Sequence, residues 1–509
     1  MTKTSNSILE LVKGSGIVFV GMVIGRLLGL GAQVSIVREL SPTQFGHIAL
    51  AYTIVSSIGG IAIFGVQDGV TRFLSASDLE ETKARYVQSG FLIVAITGMI
   101  STFLIISTRY EIGAVMDDQK LPGLLAIFSF YTLIFPLSRV MISILRSRKE
   151  SKSMILSRDI AGPILALSVF FVLAFFDYPI IGAIGYWISL PTFVLLFSFY
   201  YSIKYLPISS IINTPPQKTT IQKLWSFSWP LAISSSFVLF LSNLDVIMIG
   251  VFLNSESVGQ YRAIQPLRQI TLFVLSSVTF LYLPLATEHY ENSDDSGLIS
   301  LYRYSSKWIS SITLPIVLVT GLYSDSVIIN LFGRSYLPAS SALTVLIFGY
   351  FLRVIVGPTG TTLKAINKSR VELISAMSGV IVNFIVNLLL IPKYGIIGAA
   401  IGTVLGYAVF NLVEILAIYN AIGGHPFTMN LIQPSVLSIT SALITRSIIP
   451  DDSISIFALV GLIGFFGIVQ VSSIFITNSL DKNDYMMINK IENNITVELK
   501  RLKQTYNER

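Results

Sequence analysis

The sequence predicts an all-α polytopic membrane protein of about 14 transmembrane helices, built as two parallel six-helix repeats followed by two extra C-terminal helices. Composition, span-length apolar runs and an internal repeat indicate this fold class. The 509-residue chain is 53% hydrophobic and only 12% charged, whereas a soluble domain carries roughly 25% charged residues. Apolar runs of about 20 residues, each long enough to cross the hydrocarbon core as a helix, recur along the whole chain.

Short polar segments separate the predicted spans. Span thirteen is short and rich in serine, so a total of about 12 or 13 spans also stays open. From the N-terminus, the predicted spans are 14–36, 47–65, 87–107, 122–145, 159–176, 180–201, 224–252, 264–285, 308–330, 341–357, 371–391, 396–419, 432–449 and 454–477.

The distribution of positive charge predicts that both termini face the cytoplasm. With the N-terminus inside, 24 of the 35 lysines and arginines lie in inside segments, eight lie in outside segments or at outer span ends, and three lie within spans. Short cytoplasmic loops of membrane proteins are enriched in these residues, so the bias predicts a multi-pass protein of the cell membrane. The same enrichment explains the net charge of +7 without a nucleic-acid partner.

Three pairs of similar motifs indicate that the first six spans are repeated. The pairs occur in the same order along the chain, with offsets of 213, 214 and 216 residues. An even number of spans per repeat keeps both copies in one orientation, related by an axis along the membrane normal. The pairs are 40–46 with 253–259, 137–140 with 351–354, and 178–183 with 394–399.

The repeat divides the chain into five segments. Two parallel lobes joined by a cytoplasmic linker favour a transporter that works by alternating access over a channel. The tail alternates apolar and charged residues, which is typical of a helix lying on anionic lipid. The segments are an N-terminal six-helix lobe (1–203), a cytoplasmic linker (204–223), a C-terminal six-helix lobe (224–420), two additional transmembrane helices (421–480) and a cytoplasmic tail (481–509).

An ordered set of motifs across roughly residues 10–420 carries a family resemblance. The motifs are Arg38-Glu39-Leu40-Ser41-Pro42 with Phe45-Gly46 and Ala49-Leu50-Ala51; Phe64-Gly65 with Gly69-Val70 and Arg72-Phe73; Ser228-Trp229-Pro230-Leu231 with Asp245 and Gly250; Leu331-Phe332-Gly333 with Tyr336; and Asn383, Asn387 and Leu390-Ile391-Pro392 leading into Tyr394-Gly395-Ile396. In these motifs the chain resembles the polysaccharide-exporter branch of the multidrug/oligosaccharidyl-lipid/polysaccharide transporter superfamily.

The resemblance implies a flippase. Its substrate would be an oligosaccharide linked to a polyprenyl phosphate, moved from the cytoplasmic to the outer leaflet for surface polysaccharide synthesis or protein glycosylation. Its partners would be the lipid-linked glycan, membrane lipids, and glycosyltransferases or an oligosaccharyltransferase of the same pathway. The alternative within the superfamily is a multidrug or metabolite antiporter, for which sodium or a proton would be the coupling ion; no other cofactor is expected.

Enzyme classes are disfavoured by the sequence. A membrane glycosyltransferase or polysaccharide polymerase would require a large outer loop with acidic residues, and the predicted outer loops are short. The sequence contains no GxxxxGK[ST] phosphate-binding loop. Its three histidines are scattered, so we predict neither a catalytic residue nor a metal ligand.

Ionisable residues inside spans are costly in the bilayer and are therefore candidates for function. Arg26 lies about twelve residues into span one, near the bilayer midplane, where it is a candidate to bind a pyrophosphate or an acidic sugar. A structural ion pair between helices is the alternative. Asp245 in span seven is a second candidate, to pair with a cation such as Arg26 or to bind a coupling ion, although an aspartate near a helix end can also simply reach interfacial water.

Three further residues are candidates for a gate or an ion pair. Arg139 and Arg353 occupy equivalent positions in the two repeats, near the inner ends of spans four and ten. Either side chain can reach anionic cytoplasmic headgroups without any other role. Glu414, in the inner part of span twelve, is the third candidate; for it, snorkelling to the interface or pairing between helices is favoured over ion coupling.

Overall fold

The computed structural model describes residues 3–205, 209, 214–451, 454–481 and 484. Within these residues the secondary structure is helical and contains no strand, which confirms the all-α fold class. The first half contains α1 (Lys3–Glu39), α2 (Pro42–Ala62), α3 (Val66–Ser75), α4 (Glu80–Val115), α5 (Leu121–Phe128), α6 (Tyr131–Ser147), α7 (Ser151–Ile155), a π-helical turn (Leu156–Ala161), α8 (Gly162–Phe175) and α9 (Pro179–Ile203).

The second half follows the same pattern of long helices and short connections. It contains α10 (Lys218–Phe252), α11 (Ser255–Glu291), α12 (Asp295–Leu322), α13 (Ser324–Leu331), a 3₁₀ helix (Arg334–Ala339), α14 (Ser340–Ile355), α15 (Thr359–Ala365), α16 (Ser369–Ile422), α17 (Met429–Ile448) and α18 (Ile456–Ile476).

Every predicted span overlaps a helix in the described part of the chain. Ten of these helical segments are long and apolar enough to cross a membrane, and an eleventh is added when the bent pair Ser255–Thr279 and Tyr282–Glu291 is taken as one span. The total of about 14 therefore stays a prediction. One reason for the lower count is that α16, 54 residues long, covers both predicted spans eleven and twelve.

The turn expected between spans eleven and twelve is reduced to one residue, Gly395. This glycine has φ +60° and ψ −139°, a non-helical conformation within α16. A residue with a Cβ atom rarely adopts it, whereas glycine does so without steric cost. The chain therefore changes direction at Gly395 with no intervening loop.

The boundary of the predicted linker differs from the structure. Helix α10 begins at Lys218, so residues 218–223 of the linker are helical, whereas 206–208 and 210–213 lie outside the described residues. The first part of α10 also packs against α3 of the predicted N-terminal lobe. There, Trp225 stacks on Phe64 with ring centroids 4.8 Å apart. Helix α10 thus contacts helices assigned to both lobes, because its second part packs against α16.

The starts of α2 and α11 are in backbone contact at the end of the bundle that the charge distribution predicts to face outward, here called the outer end. A Cβ atom at Gly46 would lie 1.6 Å from the carbonyl oxygen of Ser255, and one at Gly259 would lie 1.9 Å from that of Pro42. The contact is reciprocal under the predicted 213-residue offset, which pairs Gly259 with Gly46 and Ser255 with Pro42. A two-fold axis between the repeats requires such reciprocity.

A buried ion pair attaches the C-terminal segment to α12. Lys307 is 2% exposed, and its Nζ lies 2.5 Å from Oδ2 of the fully buried Asp484 side chain and 3.1 Å from Oδ2 of Asp481. The indole nitrogen of Trp308 donates to Oδ1 of Asp484 at 2.7 Å. Asn430, at the start of α17, donates to Asp481 at 2.5 Å. These contacts hold Asp481 and Asp484 against the C-terminal half of the bundle.

We expect Lys307→Ala to destabilise the protein by about 3–5 kcal/mol, because it leaves the Asp484 carboxylate buried without its counter-charge. Thermal unfolding of the purified protein, followed by tryptophan fluorescence, measures this loss. The double variant Lys307→Met with Asp484→Leu removes both charges and should recover most of it. Arg146→Ala breaks an exposed pair with Asp68 and should change stability by less than about 1 kcal/mol. Equal losses for the two single variants would contradict the expectation.

Candidate functional site

A cavity of about 810 Å³ lies between the two predicted lobes. Helices α1, α2, α8 and α9 and the π-helical turn line it on one side, and α10 and α11 line it on the other. This placement brings together residues from positions 22 to 273 of the chain.

Arginines dominate the charge of this cavity. Its walls carry Arg26, Arg158, Arg262 and Arg268, and one carboxylate, Asp159. Arg158 pairs with that carboxylate, with Nη2 and Oδ2 2.9 Å apart. Within the described residues, the other three arginines form no ion pair with a carboxylate. The cavity therefore has an excess of positive charge at its centre.

Neutral groups hold the three unpaired guanidinium groups in place. Nη1 of Arg26 on α1 donates to the hydroxyl of Ser276 on α11 at 2.8 Å, which joins the two predicted lobes. Nη1 of Arg262 donates to Oε1 of Gln265 at 2.7 Å. Nη1 of Arg268 donates to the hydroxyl of Tyr350 at 3.0 Å. Such partners orient the cations without neutralising them, so their charge remains available to an anion in the cavity.

Uncharged polar groups and aromatic rings complete the wall. The polar residues come from both sides and include Gln33, Asn243, Gln265 and Gln269. On α2 and α9, Tyr52 stacks on Trp187 with ring centroids 5.1 Å apart. Amides donate and accept hydrogen bonds with hydroxyl groups, and aromatic faces pack well against the apolar faces of flat rings. The wall is therefore suited to a hydroxyl-rich group carrying negative charge.

Sequence reasoning placed Arg26 as a cavity residue but did not single out Arg262 and Arg268. Both were assigned to the outside segments and span ends because span eight was predicted to begin at 264, whereas α11 begins at Ser255. A polar stripe along α11 was the available signal. At helical spacing of three or four residues, the stripe consists of Arg262, Gln265, Gln269, Ser276 and Thr279, interrupted by Leu272.

Asp245, the second candidate from the sequence, does not line the cavity and is buried in the predicted C-terminal lobe. Its side chain is 2% exposed. Oδ2 accepts hydrogen bonds from the hydroxyl of Tyr261 at 2.6 Å and from that of Thr403 at 3.2 Å. Oδ1 accepts from the backbone N–H of Val246 at 2.9 Å. The structure therefore does not bring Asp245 together with Arg26, and its role as a substrate-binding residue stays a prediction.

The repeat mates Arg139 and Arg353 have similar aromatic neighbours but different polar ones. Arg139 lies over the ring of Phe135 at 4.7 Å, and Arg353 lies over the ring of Phe410 at 4.5 Å. In addition, Nη1 of Arg353 is 3.6 Å from Oε2 of the fully buried Glu414. The structure thus brings two of the three gate candidates together, within the predicted C-terminal lobe.

A second cavity, of about 380 Å³, adjoins this pair. Arg26 and Gln269 line both this cavity and the central one, so the two are neighbours. Its other polar walls come from α11, α14, α15 and the start of α16. They are Ser276, Thr279, Arg353, Thr359, Thr361, Lys364 and Glu372.

Contacts between the predicted lobes close the outer end above the central cavity. Nη2 of Arg38 donates a hydrogen bond to the backbone carbonyl of Asn330 at 2.8 Å. The hydroxyl of Tyr336 donates to the backbone carbonyl of Leu40 at 3.0 Å. Together with the α2–α11 crossing, they join the two predicted lobes at the outer end. Passage from the cavity to the outer side would require these contacts to open.

Asp118 makes a further contact across this closure. Its Oδ2 accepts hydrogen bonds from Nδ1 of His47 at 2.5 Å and from the hydroxyl of Ser255 at 2.6 Å. Burial opposes ionisation of this carboxyl, but the hydrogen bonds from His47 and Ser255, the charge of His47 and the backbone N–H of Lys120 outweigh it and lower the pKa of Asp118 to about 2. Asp118 is therefore ionised at physiological pH and links α2 to α11.

We expect Asp118→Asn to lower the thermal stability at every pH from about 5 to 8. The pKa of Asp118 in the folded protein lies below its usual value of 3.8. The stabilisation by the ionised carboxylate is therefore fully present at pH values above 3.8 and is lost as the pH falls towards about 2. The difference in melting temperature from the native protein should therefore narrow only below about pH 4. Asp117→Asn, at the exposed neighbouring carboxyl, is the control and should show little difference. A difference in melting temperature that shrinks as the pH falls from about 8 to about 5 would contradict the assignment.

Curated relatives share parts of this chain. It is 27% identical over 202 residues to a probable low-salt glycan biosynthesis flippase, Agl15, of Haloferax volcanii, covering 40% of this chain and 43% of the relative. It is 30% identical over 135 residues to the teichuronic acid biosynthesis protein TuaB of Bacillus subtilis, covering 26% and 27%. The chain thus spans less than half the length of these curated relatives.

Solved structures with low sequence identity share the fold. The lipid II flippase MurJ in an inward closed conformation superposes with a TM-score of 0.70 at 15% identity, over 90% of this chain and 98% of that one. An inward-facing multidrug resistance MATE transporter superposes with a TM-score of 0.67 at 16% identity, over 78% and 94%. At such identities the likeness concerns the fold alone.

The family assignment comes from a longer match. The profile described as polysaccharide biosynthesis protein matches residues 11–290, which is more than half of the chain. The matched region contains most of α1, all of α2 and α10 and nearly all of α11, and hence Arg26, Arg262 and Arg268 of the central cavity. The resemblance stated from the sequence motifs is thereby confirmed. This chain belongs to the polysaccharide biosynthesis protein family, in the polysaccharide-exporter branch of the multidrug/oligosaccharidyl-lipid/polysaccharide transporter superfamily.

Proposed function

We propose that this protein flips a polyprenyl-phosphate-linked oligosaccharide from the cytoplasmic to the outer leaflet of the cell membrane. The observation that carries the proposal is the central cavity, in which Arg26, Arg262 and Arg268 have no carboxylate partner among the described residues. Relatives whose names describe glycan biosynthesis and flipping support the same substrate class.

The proposal follows from the cost of moving a sugar across a bilayer. Each unpaired polar group costs several kcal/mol in hydrocarbon, so a glycan cannot cross unaided. The arginines would bind the phosphate groups, and the amides of Asn243, Gln265 and Gln269 would bind sugar hydroxyls. The polyprenyl tail would remain in the surrounding lipid while the headgroup moves through the cavity.

Transport would proceed by alternating access of the two lobes. The cavity would receive the headgroup on the cytoplasmic side while the outer contacts at Gly46, Gly259 and Asp118 are closed. Separation of these contacts would then release it outward. Both termini would lie in the cytoplasm, where glycosyltransferases assemble the substrate. Outside, an oligosaccharyltransferase or a polymerase would take up the flipped glycan.

The antiporter alternative suits this cavity less well. Cationic drugs would face three unpaired arginines, and like charges in a low-dielectric site repel strongly. The same arginines attract a phosphorylated lipid. We therefore rank the flippase first and treat drug export as an outcome of the experiment below.

Reconstituted vesicles test the proposed function. Purified protein is incorporated into liposomes with a fluorescently labelled polyprenyl-diphosphate disaccharide, and a membrane-impermeant reductant quenches the label on the outer leaflet. Protein-free vesicles should protect about half of the label, and flipping should bring most of it within reach of the quencher. Absence of protein-dependent quenching, together with ion-driven uptake of a cationic drug, would overturn the proposal in favour of the antiporter.

A further inference from the structure

Glu414 has an environment that the proposed flipping cycle does not by itself explain. Its side chain is fully buried in α16. Oε2 accepts a hydrogen bond from the hydroxyl of Thr359 and lies 3.6 Å from Nη1 of Arg353. Oε1 has no hydrogen-bond partner among the described residues. A carboxylate oxygen buried without a donor is costly as part of an anion.

Arg353 contacts other groups besides Glu414. Its Nη1 donates to Oδ1 of Asn411 at 2.7 Å, and its guanidinium lies over the ring of Phe410 at 4.5 Å. The side chain is 22% exposed and lines the second cavity, which Arg26 also lines. The guanidinium therefore lies close to a buried carboxylate and lines a cavity that shares Arg26 and Gln269 with the proposed substrate site.

The free oxygen of Glu414 is directed towards the wall of the same cavity. A Cβ atom at Gly360 would lie 3.3 Å from Oε1, and Gly360 lines the cavity. A residue with a side chain there would separate Oε1 from the cavity, whereas glycine leaves only its backbone between them. Glycine at this position thus keeps the carboxyl close to the cavity.

The other charged groups around Glu414 are already paired or neutral. Glu372, at the start of α16, pairs with Lys364 of α15, with Oε1 and Nζ 3.1 Å apart. From α12, the hydroxyl of Tyr302 donates to the carbonyl of Val356 at 2.9 Å. Arg353 is therefore the cation whose position depends on the charge of Glu414. A proton on Oε1 would neutralise the carboxyl and remove the attraction that draws Arg353 away from the cavity.

We propose that Glu414 is a proton-binding site of the transport cycle, and that its protonation frees Arg353 to bind an anionic group in the second cavity. The anion part of the proposal rests on the proposed function. A proton taken up from water would bind Oε1 as the phosphate group of the substrate engages Arg353. Loss of that proton would restore the anion, which would draw Arg353 back and weaken the hold on the phosphate.

Infrared spectroscopy of the purified full-length protein tests the proton site without a substrate. A protonated buried carboxyl has a C=O stretching band that disappears on ionisation. We expect a band that titrates with pH in the native protein and in Glu372→Gln, which alters a carboxyl lining the same cavity, but not in Glu414→Gln. The same titrating band in Glu414→Gln would overturn the proposal.

A chemical measurement on the native protein covers the case in which Glu414→Gln fails to fold. Dicyclohexylcarbodiimide reacts with protonated carboxyls in apolar surroundings, and peptide mass spectrometry locates the product. Labelling at Glu414 should increase as the pH falls, in contrast to the ion-paired Glu372. If Glu414 is not labelled at any of the pH values tested, the proposal is overturned.

Coupling to an anion is measured with inorganic pyrophosphate. Calorimetry in buffers of different ionisation enthalpy counts the protons taken up on binding, and we expect up to about one per pyrophosphate in the native protein and none in Glu414→Gln. Equal uptake in both proteins would overturn the coupling. If Glu414 titrates but the native protein binds no pyrophosphate, the proton site stands. The coupling then falls together with the phosphate-binding part of the proposed function.

Discussion

Arg26→Ala should lower the rate of flipping in reconstituted vesicles by about 10- to 100-fold at low substrate concentration, while the protein still folds and reaches the membrane. Arg26 lines both cavities and is held by the neutral hydroxyl of Ser276. Its charge is therefore free for a phosphate group, and a charge-assisted hydrogen bond of this kind contributes about 1.5–3 kcal/mol. Its loss should weaken binding of the lipid-linked headgroup by about 10- to 100-fold.

Arg26→Lys should retain part of the activity. Lysine keeps the positive charge but lacks the planar fork of donors that binds two phosphate oxygens at once. The initial rate of label quenching in vesicles, measured over a range of substrate concentrations, separates the two variants. An effect on the substrate affinity distinguishes a binding role from one in helix packing.

Arg109→Ala is the matched control for this series. Arg109 lies near the outer end of α4, against the ring of its neighbour Tyr110, and does not line either of the two cavities. Its removal should leave the rate of flipping unchanged. Full activity of Arg26→Ala would exclude Arg26 from the transport mechanism, and equal losses in both variants would indicate a general effect of removing an arginine.

Gly46→Ala should open the outer end of the bundle. The added Cβ would lie 1.6 Å from the carbonyl oxygen of Ser255, whereas atoms in contact are separated by about 3.5 Å. The nearest atoms belong to the backbone of α11, so no side chain can rotate away. The starts of α2 and α11 would have to move apart by on the order of 2 Å, at a cost of about 1–3 kcal/mol.

Cysteine labelling reports the opening, because the native chain contains no cysteine. A single cysteine at Leu190, in the wall of the central cavity, is treated with a membrane-impermeant maleimide from outside the cell. With the outer end closed the reaction should be slow. Gly46→Ala should increase the rate of labelling by about 5- to 100-fold, because the equilibrium between the closed and open states shifts towards the open state by the same factor.

Gly123→Ala is a control in which the same substitution should not lower the stability of the protein. Gly123 lies on α5, and a Cβ atom there would meet nothing within 4 Å. Alanine in a helix is favoured over glycine by roughly 0.5–1 kcal/mol, so this variant should be at least as stable as the native protein and should label as slowly. Similar stability and labelling in Gly46→Ala and Gly123→Ala would show that the α2–α11 crossing does not control access.

The sequence predicted the spans well where apolar runs and polar punctuation coincide. It was less accurate where a helix continues through a polar or glycine-containing stretch. The seven residues before Arg262 were read as a loop, yet α11 begins at Ser255 with Asn254 as its N-cap, which accepts from the N–H of Ser257 at 2.9 Å. A hydropathy reading detects the apolar part of a helix, whereas hydrogen bonding and capping decide where the helix begins.

The candidate site was predictable only in part for the same reason. Arg26 interrupts an apolar run and is therefore conspicuous, whereas Arg262 and Arg268 lie beside polar residues that resemble a loop. Asp245 was equally conspicuous, but its partners Tyr261 and Thr403 come from α11 and α16. Which ionisable residue faces a cavity and which is enclosed by hydroxyls depends on helix rotation, which a single sequence specifies weakly.

Composition and pattern by themselves determined that this chain is a helical membrane protein of the polysaccharide-exporter branch. Both features follow from local properties, since a bilayer demands apolar helices of a given length and motifs are read along the chain. The tertiary structure decided which charges meet. The arginines from α1 and α11 line one cavity, Glu414 keeps an oxygen without a donor beside Arg353, and Gly46 contacts its own repeat counterpart. These relations join residues more than 50 positions apart, and packing alone brings them together.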